Sequence, residues 1–195
     1  LVGHSMGGIA VQSLAIRHPE LVRERVCGLV LLSTLCRTPG GSQATRLRSI
    51  AERITRRTPD TTAMWALPNF GFLLARFGFG REPRPSDVQL AQEMLRDCPH
   101  ATRVNASRAL IGMDLTPDLS KIETPTLIIC GTADPITPPF HSRQLHEAIP
   151  GSQVKWVDGA GHMLMLESAD WLNDTISTFV IEGGHEAEIA KDSQP

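Results

Sequence analysis

The sequence carries almost no net charge, no long apolar run and no cluster of metal ligands. Nineteen Lys and Arg stand against 21 Asp and Glu, a formal net charge of −2, which gives no electrostatic footprint for nucleic acid. No stretch reaches the roughly 18 continuous apolar residues of a bilayer-crossing helix, so no integral membrane segment is expected. Cys27, Cys36, Cys98 and Cys130 have none of the spacings of a metal site. There is no histidine-rich ligand motif and no P-loop, so neither a metal nor a cofactor is expected. No signal peptide is visible, and a cytoplasmic location is favoured, although a leader preceding these residues would not show in them. The rest of the composition is that of an ordinary globular chain, 41% apolar and 21% charged. Its 195 residues are enough for one buried core.

What the chain does have begins at residue 3. Gly3-His4-Ser5-Met6-Gly7 is a G-x-S-x-G string, the pattern that places a serine on a sharp strand-to-helix turn. Small residues either side, here Gly3 and Gly7, let strand and helix approach. Leu1 and Val2 are all that precedes the turn as strand. After it, Ile9, Ala10, Ser13, Leu14 and Arg17 recur near the helical period until His18-Pro19. A helix N-terminus favours negative charge developing at Ser5, and the Met6 N–H is the expected oxyanion donor. A glycine-rich turn with no chemistry is the plain alternative for this string alone.

Two further segments decide between them. A nucleophilic serine needs a base, and the base needs an orienting carboxylate. Residues 126–130, Thr-Leu-Ile-Ile-Cys, read as a buried parallel strand and lead to Asp134. Residues 153–157, Gln-Val-Lys-Trp-Val, read as a second strand and lead through Asp158-Gly-Ala-Gly to His162. Acid and imidazole thus follow the C-terminal ends of strands, where open α/β sheets keep their sites. The chain order Ser5, Asp134, His162 is the one expected of such a fold. Asp158 and Asp114 are weaker candidate acids: the first fits a support for its turn, and the second precedes the strand that carries Asp134. His141 and His146, on a helix expected to start near Thr137-Pro138, read as solvated or partly packed. His4 is expected to line or underlie the pocket without transferring a proton. Cys27 and Cys130 fall in expected strands and read as buried thiols.

Gly3-His-Ser-Met-Gly-Gly8, Cys130-Gly-Thr-Ala-Asp-Pro-Ile136 and Gly159-Ala-Gly-His-Met-Leu-Met-Leu-Glu167 together resemble three blocks of the α/β-hydrolase superfamily, over roughly residues 1–182. Within it the chain looks most like the esterase, lactonase and lipase-like members with an inserted cap. The resemblance implies a three-layer α/β-hydrolase fold, with an N-terminally truncated parallel sheet and an inserted helical cap. It implies Ser5 as nucleophile, Asp134 as orienting acid and His162 as general base. The implied substrate is a small apolar-to-amphipathic ester, thioester or lactone. Relatives with the same triad also work as haloperoxidase-like perhydrolases, carbon–carbon bond hydrolases or acyltransferases; a non-catalytic binding or scaffold protein is the reading of another class. Relatives have four strands, most of a fifth and an early His-Gly loop ahead of this point. The expectation is therefore an active parent enzyme, with this segment alone poorly active for want of those strands and the second oxyanion donor.

The chain divides on this reading into core over 1–36, a mostly helical cap over 37–114, core again over 115–182 and a loose tail over 183–195. Residues 25–32 are expected to form a core strand, with Ser33-Thr34 at its active-site edge. The cap is expected to hold an arginine-rich helical stretch near 43–57, where Arg46, Arg48, Arg53, Arg56 and Arg57 form a solvated face or attract an anion. Helices are expected near 86–96 and 101–110. Trp65, Leu67, Phe70, Phe72, Leu73, Leu74, Phe77 and Phe79 are too many apolar side chains to leave in water. Some should pack cap on core, and Trp65, Phe70 and Phe72 are candidate pocket residues with Met163 and Leu164. Trp171, Leu172, Ile176, Phe179 and Val180 are the expected buried stripe of the final helix.

Overall fold

The computed structural model describes residues 1–38 and 62–192. Its elements are β1 (Val2–His4), α1 (Met6–Arg17), α2 (Pro19–Arg25), β2 (Leu29–Leu32), α3 (Thr62–Ala66), α4 (Pro68–Arg76), α5 (Pro85–Asp97), α6 (His100–Leu110), a 3-10 turn (Thr116–Lys121), β3 (Thr126–Gly131), α7 (Pro139–Ala148), β4 (Gln153–Val157), α8 (Leu164–Glu167) and α9 (Ala169–Asp192). The described strands form one sheet in the order β1-β2-β3-β4, every pair parallel. Parallel neighbours need a crossover connection, and each here runs through helix.

Strands β2 and β3 are buried along their whole length, which explains their unbroken apolar sequence. Successive side chains face opposite ways. Leu29, Leu31 and Ile128 meet α1, α2, the 3-10 turn and α7 through Ala15, Val22, Leu119, Ile122, Leu145 and Ile149. Val30, Leu32, Leu127 and Ile129 meet α8 and α9 through Leu164, Leu172 and Phe179. Helices thus cover both faces, and the architecture is the three-layer one expected.

Helices α3 to α6 are inserted between β2 and β3 as a helical cap. Its own small core joins Ala75, Phe79, Val88 and Ala91, with Trp65 and Phe72 packed beside them. Met163 and Leu166 reach that cluster from the histidine side, so the cap is seated on the core by apolar contact. Leu67, Phe70, Leu73 and Phe77 are instead exposed, so of the eight apolar residues expected to pack or line a pocket these four do not join the cluster. The arginine-rich stretch near 43–57, with Arg46, Arg48, Arg53, Arg56 and Arg57, lies outside the described residues.

Several local expectations are corrected. The first helix ends at Arg17, before His18-Pro19 as expected, but Pro19 then opens a second, α2, with Glu20 in its first turn and Arg23 and Arg25 in its last, the arrangement its dipole favours. The strand expected over 25–32 is therefore shortened to Leu29–Leu32, and Cys27, left in the connection, is exposed rather than buried. Trp171 and Val180 are exposed, so the stripe of α9 narrows to Leu172, Ile176 and Phe179. The backbone of α9 stays helical to Asp192 where a loose tail was expected from Gly183. Gly183 and Gly184 there cost helix propensity without ending the helix.

Ile128 is fully buried between β2 and β4, whereas Trp171 is 40% exposed. Ile128→Ala is expected to cost about 2–5 kcal/mol through lost burial and the cavity left behind. Trp171→Ala should cost about 1 kcal/mol or less. Urea midpoints measure both, and equal shifts would contradict this division between core and surface.

Candidate active site

Each strand carries polar chemistry at its C-terminal end. Ser5 follows β1, Ser33 follows β2, Asp134 follows β3 and His162 follows β4. Ser5 sits at φ 51° and ψ −119°, in the left-handed region that serine seldom occupies. Surrounding bonds hold it there. Its N–H donates to the Leu32 carbonyl at 2.9 Å, and its carbonyl accepts from Gly8 N–H at 3.0 Å and from the Thr34 hydroxyl at 2.6 Å. A Cβ on Gly3 would stand 2.6 Å from the Gly7 carbonyl oxygen, and one on Gly8 would stand 2.7 Å from the Thr34 side chain. A Cβ on Gly7 would meet nothing within 4 Å. The close approach of strand and helix therefore depends on Gly3 and Gly8, not on Gly3 and Gly7 as the sequence pattern suggested. Met6 opens α1, so its N–H has no intrahelical acceptor.

Asp134 and His162 are both buried, at 2% and 7% exposure. His162 Nδ1–H donates to Asp134 Oδ2 at 2.9 Å. The carboxylate can only accept, so the hydrogen of this bond sits on Nδ1, and in the neutral ring the lone pair is then on Nε2. Asp134 Oδ1 accepts from the N–H groups of Ile136 and Thr137 at 2.8 and 2.9 Å. Its Oδ2 also accepts from the Thr137 hydroxyl at 2.7 Å. Burial by itself pushes the Asp134 carboxyl upward; the His162 bond and charge, with the Thr137 N–H and hydroxyl, outweigh it and hold the group below the usual carboxylate range. The sequence pattern missed Thr137, although an Asp followed three residues later by Thr is a turn signature.

His4 supports the imidazole from behind. Its Nε2–H donates to the His162 carbonyl at 2.9 Å, and the two rings stand 4.8 Å apart. Burial and then the neighbouring His162 lower the His4 pKa, keeping it neutral. Met163, Trp65 and Phe72 gather at the junction of cap and core. Phe70 is exposed at 43% and lies outside that cluster. Leu164, the first residue of α8, is fully buried in the core, which removes it from any open pocket.

The other candidates have structural settings. Asp158 accepts from the Thr132 hydroxyl at 3.0 Å and faces Arg81 at 3.8 Å. Asp114 accepts from Thr116 N–H, closing a turn. His146 bonds to Ser152, and His141 is buried rather than solvated. Burial pushes the Cys130 thiol up to about 11, so it is no thiolate nucleophile at neutral pH. A groove of about 610 Å³ lined by Val22, Cys27, Ile122 and Pro125 lies at the N-terminal ends of the strands, away from this chemistry. Among the described residues no group of histidine, cysteine and carboxylate side chains is placed to hold a metal ion, and no helix is long and apolar enough to cross a membrane.

A parallel sheet covered on both faces, a helical cap and a buried acid–imidazole pair at the strand ends define the class: an α/β scaffold of the hydrolase kind. The model of the alpha/beta hydrolase family matches residues 1–175, and the chain belongs to that family. Polyketide synthase ThaQ of Burkholderia thailandensis is 28% identical over 96% of this chain, which covers 9% of that protein. A thermophilic esterase from Thermogutta terrifontis is 26% identical with a TM-score of 0.70, over 94% of this chain and 64% of that one. The enol-lactonase of Burkholderia xenovorans LB400 is 25% identical with a TM-score of 0.71, over 92% of this chain and 64% of that one. The chain spans less than two thirds of the length of each of these three.

The held-down pKa of Asp134 makes a stability prediction. An acid whose folded pKa is depressed stabilises the fold above its unfolded pKa, near 3.9, and that stability is lost as pH falls through the folded value. Wild type should therefore lose stability on acidification more steeply than Asp134→Asn. Urea unfolding of both between neutral pH and pH ~3 measures this, and parallel curves would contradict it.

Proposed function

We propose that the chain is the triad-bearing part of a serine hydrolase that cleaves a small ester, thioester or lactone, with Ser5 as nucleophile. The observation that carries this reading is the buried His162–Asp134 bond, at the same sheet edge as a serine held in the left-handed region at a helix N-terminus, with β2 between them.

In this mechanism His162 Nε2 takes the Ser5 hydroxyl proton as Oγ attacks the substrate carbonyl carbon. Asp134 holds the imidazole in orientation and stabilises its charged form. The Met6 N–H, with the dipole of α1 behind it, donates to the oxyanion that forms. His162 then returns the proton to the departing alcohol, thiol or ring oxygen, leaving an acyl-serine. Water, deprotonated by the same imidazole, attacks the acyl carbon and releases the acid and free Ser5. Trp65, Phe72 and Met163 are the proposed apolar contacts of the substrate, at the junction of cap and core. The reading is supported by family membership and by the likeness to a protein titled an esterase and one titled an enol-lactonase.

A fluorophosphonate probe followed by peptide mass analysis tests the nucleophile, and hydrolysis of short p-nitrophenyl esters tests turnover. One adduct is expected, on Ser5, absent in Ser5→Ala. Asp134→Asn should slow acyl transfer by about 10⁴-fold, because the wrong imidazole tautomer is then held. An adduct elsewhere, or ester hydrolysis undiminished in Ser5→Ala, would overturn the assignment.

A further inference from the structure

Glu167 is a half-buried carboxylate that the proposed mechanism does not use. It accepts four hydrogen bonds from three backbone N–H groups. Gly80 N–H donates to Oε2 at 2.7 Å. Gly161 N–H is shared between both oxygens at 3.0 Å each. Met163 N–H donates to Oε1 at 3.1 Å. The Met163 contact is what a helix-capping glutamate would make, reaching back to the residue before α8. The other two are not. Gly161 immediately precedes His162, and Gly80 belongs to the cap, 87 residues away along the chain.

The segment around Gly80 lies directly along the histidine loop. His162 N–H donates to the Gly78 carbonyl at 2.8 Å, and Arg81 N–H donates to the Gly159 carbonyl at 2.9 Å. No side chain fits between them. A Cβ on Gly80 would stand 2.0 Å from the Gly159 carbonyl oxygen, and one on Gly161 would stand 2.3 Å from the Gly80 nitrogen. The backbone of His162 is thus bonded to the cap itself, and Glu167 spans the seam from both sides.

We propose that Glu167 is a positioning residue whose carboxylate clasps the cap's α4–α5 connection to the histidine loop and so sets the stance of His162. The inference rests on the triad reading for its effect on catalysis and on geometry alone for its effect on the loop. The clasp needs two acceptor oxygens. A glutamine of the same size would turn an NH2 group toward at least one backbone N–H, leaving donor facing donor. Displacement of a base by a fraction of an ångström to an ångström is enough to slow its reaction strongly.

The experiment compares wild type, Glu167→Gln and Gly80→Ala. It reads three signals: amide exchange at Gly80, Gly161 and Met163, the NMR resonance of the His162 Nδ1–H bonded to Asp134, and the rate of Ser5 phosphonylation. In wild type the three amides should exchange through one shared opening. In Glu167→Gln, folded by circular dichroism, all three should lose protection, and the Nδ1–H resonance should move or broaden. Phosphonylation should then slow by about tenfold to a hundredfold. Gly80→Ala, which wedges the same seam from the cap side, should move the same His162 resonance; if Glu167→Gln does not fold, the shared opening of the three amides in wild type decides the matter. A folded Glu167→Gln with the wild-type resonance and labelling rate would overturn the clasp. So would a Gly80 amide that exchanges independently of Gly161 and Met163 in wild type. Wild type that does not label at Ser5 counts against the triad reading alone, because exchange and the His162 resonance still decide the clasp.

Discussion

The hydrogen bond from His162 to Asp134 constrains more of this structure than any other contact. A carboxylate at 2% exposure has lost its water and must find other donors. It finds them in Ile136 and Thr137, which the tightly turned loop after β3 folds back onto the carboxyl group, and in His162 from the loop after β4. The first loop is in turn bonded to the second. Thr132 N–H donates to the Val157 carbonyl, and Ala133 N–H to the Ala160 carbonyl. Gly131 makes this possible, since a Cβ there would lie 2.2 Å from the Ala160 carbonyl oxygen. Parallel pairing of Gly131 with Val157 sets both loops at the same height above the sheet.

The serine side is built differently. There the backbone is held in an unfavourable conformation rather than a charge being solvated. Ser5 keeps its left-handed φ because β2 and the residues after it hold it at two points, through the Leu32 carbonyl and the Thr34 hydroxyl. Strain of this kind persists only where neighbours over-determine it. The glycines mark where backbones touch, Gly3 against Gly7 at the serine and Gly80 against Gly161 at the histidine, and Gly8 leaves room for the Thr34 side chain. The site is assembled from close backbone contacts, and its side chains inherit their positions from them.

Much of this was legible in the chain. The apolar runs of β2 and β3 identify strands buried on both faces, and the order Ser5, Asp134, His162 follows from what each strand end carries. Other features were not legible. Cys27 reads as a strand residue, but Pro19 starts a second helix and the strand begins only at Leu29. Leu164 beside His162 reads as a pocket residue, yet α8 turns it into the core. Leu67, Phe70, Leu73 and Phe77 read as packed or pocket-lining, yet α4 buries only one narrow face. These errors share a cause: periodicity states that an element is amphipathic, not where it starts or which neighbour covers it.

The sequence by itself determined the fold class, the strands that face helix on both sides and the placement of a serine, an acid and an imidazole at strand ends. Those follow from local pattern, because burial on two faces and a sharp glycine turn each demand particular residue types. The tertiary structure alone decided that Thr137 shares the solvation of Asp134, that His4 props the His162 carbonyl and that Glu167 joins cap to loop. Each of these is a hydrogen bond whose geometry depends on how separate segments come to rest against one another. His4 and His162 lie 158 residues apart, and no local pattern of residue types encodes a contact at that separation.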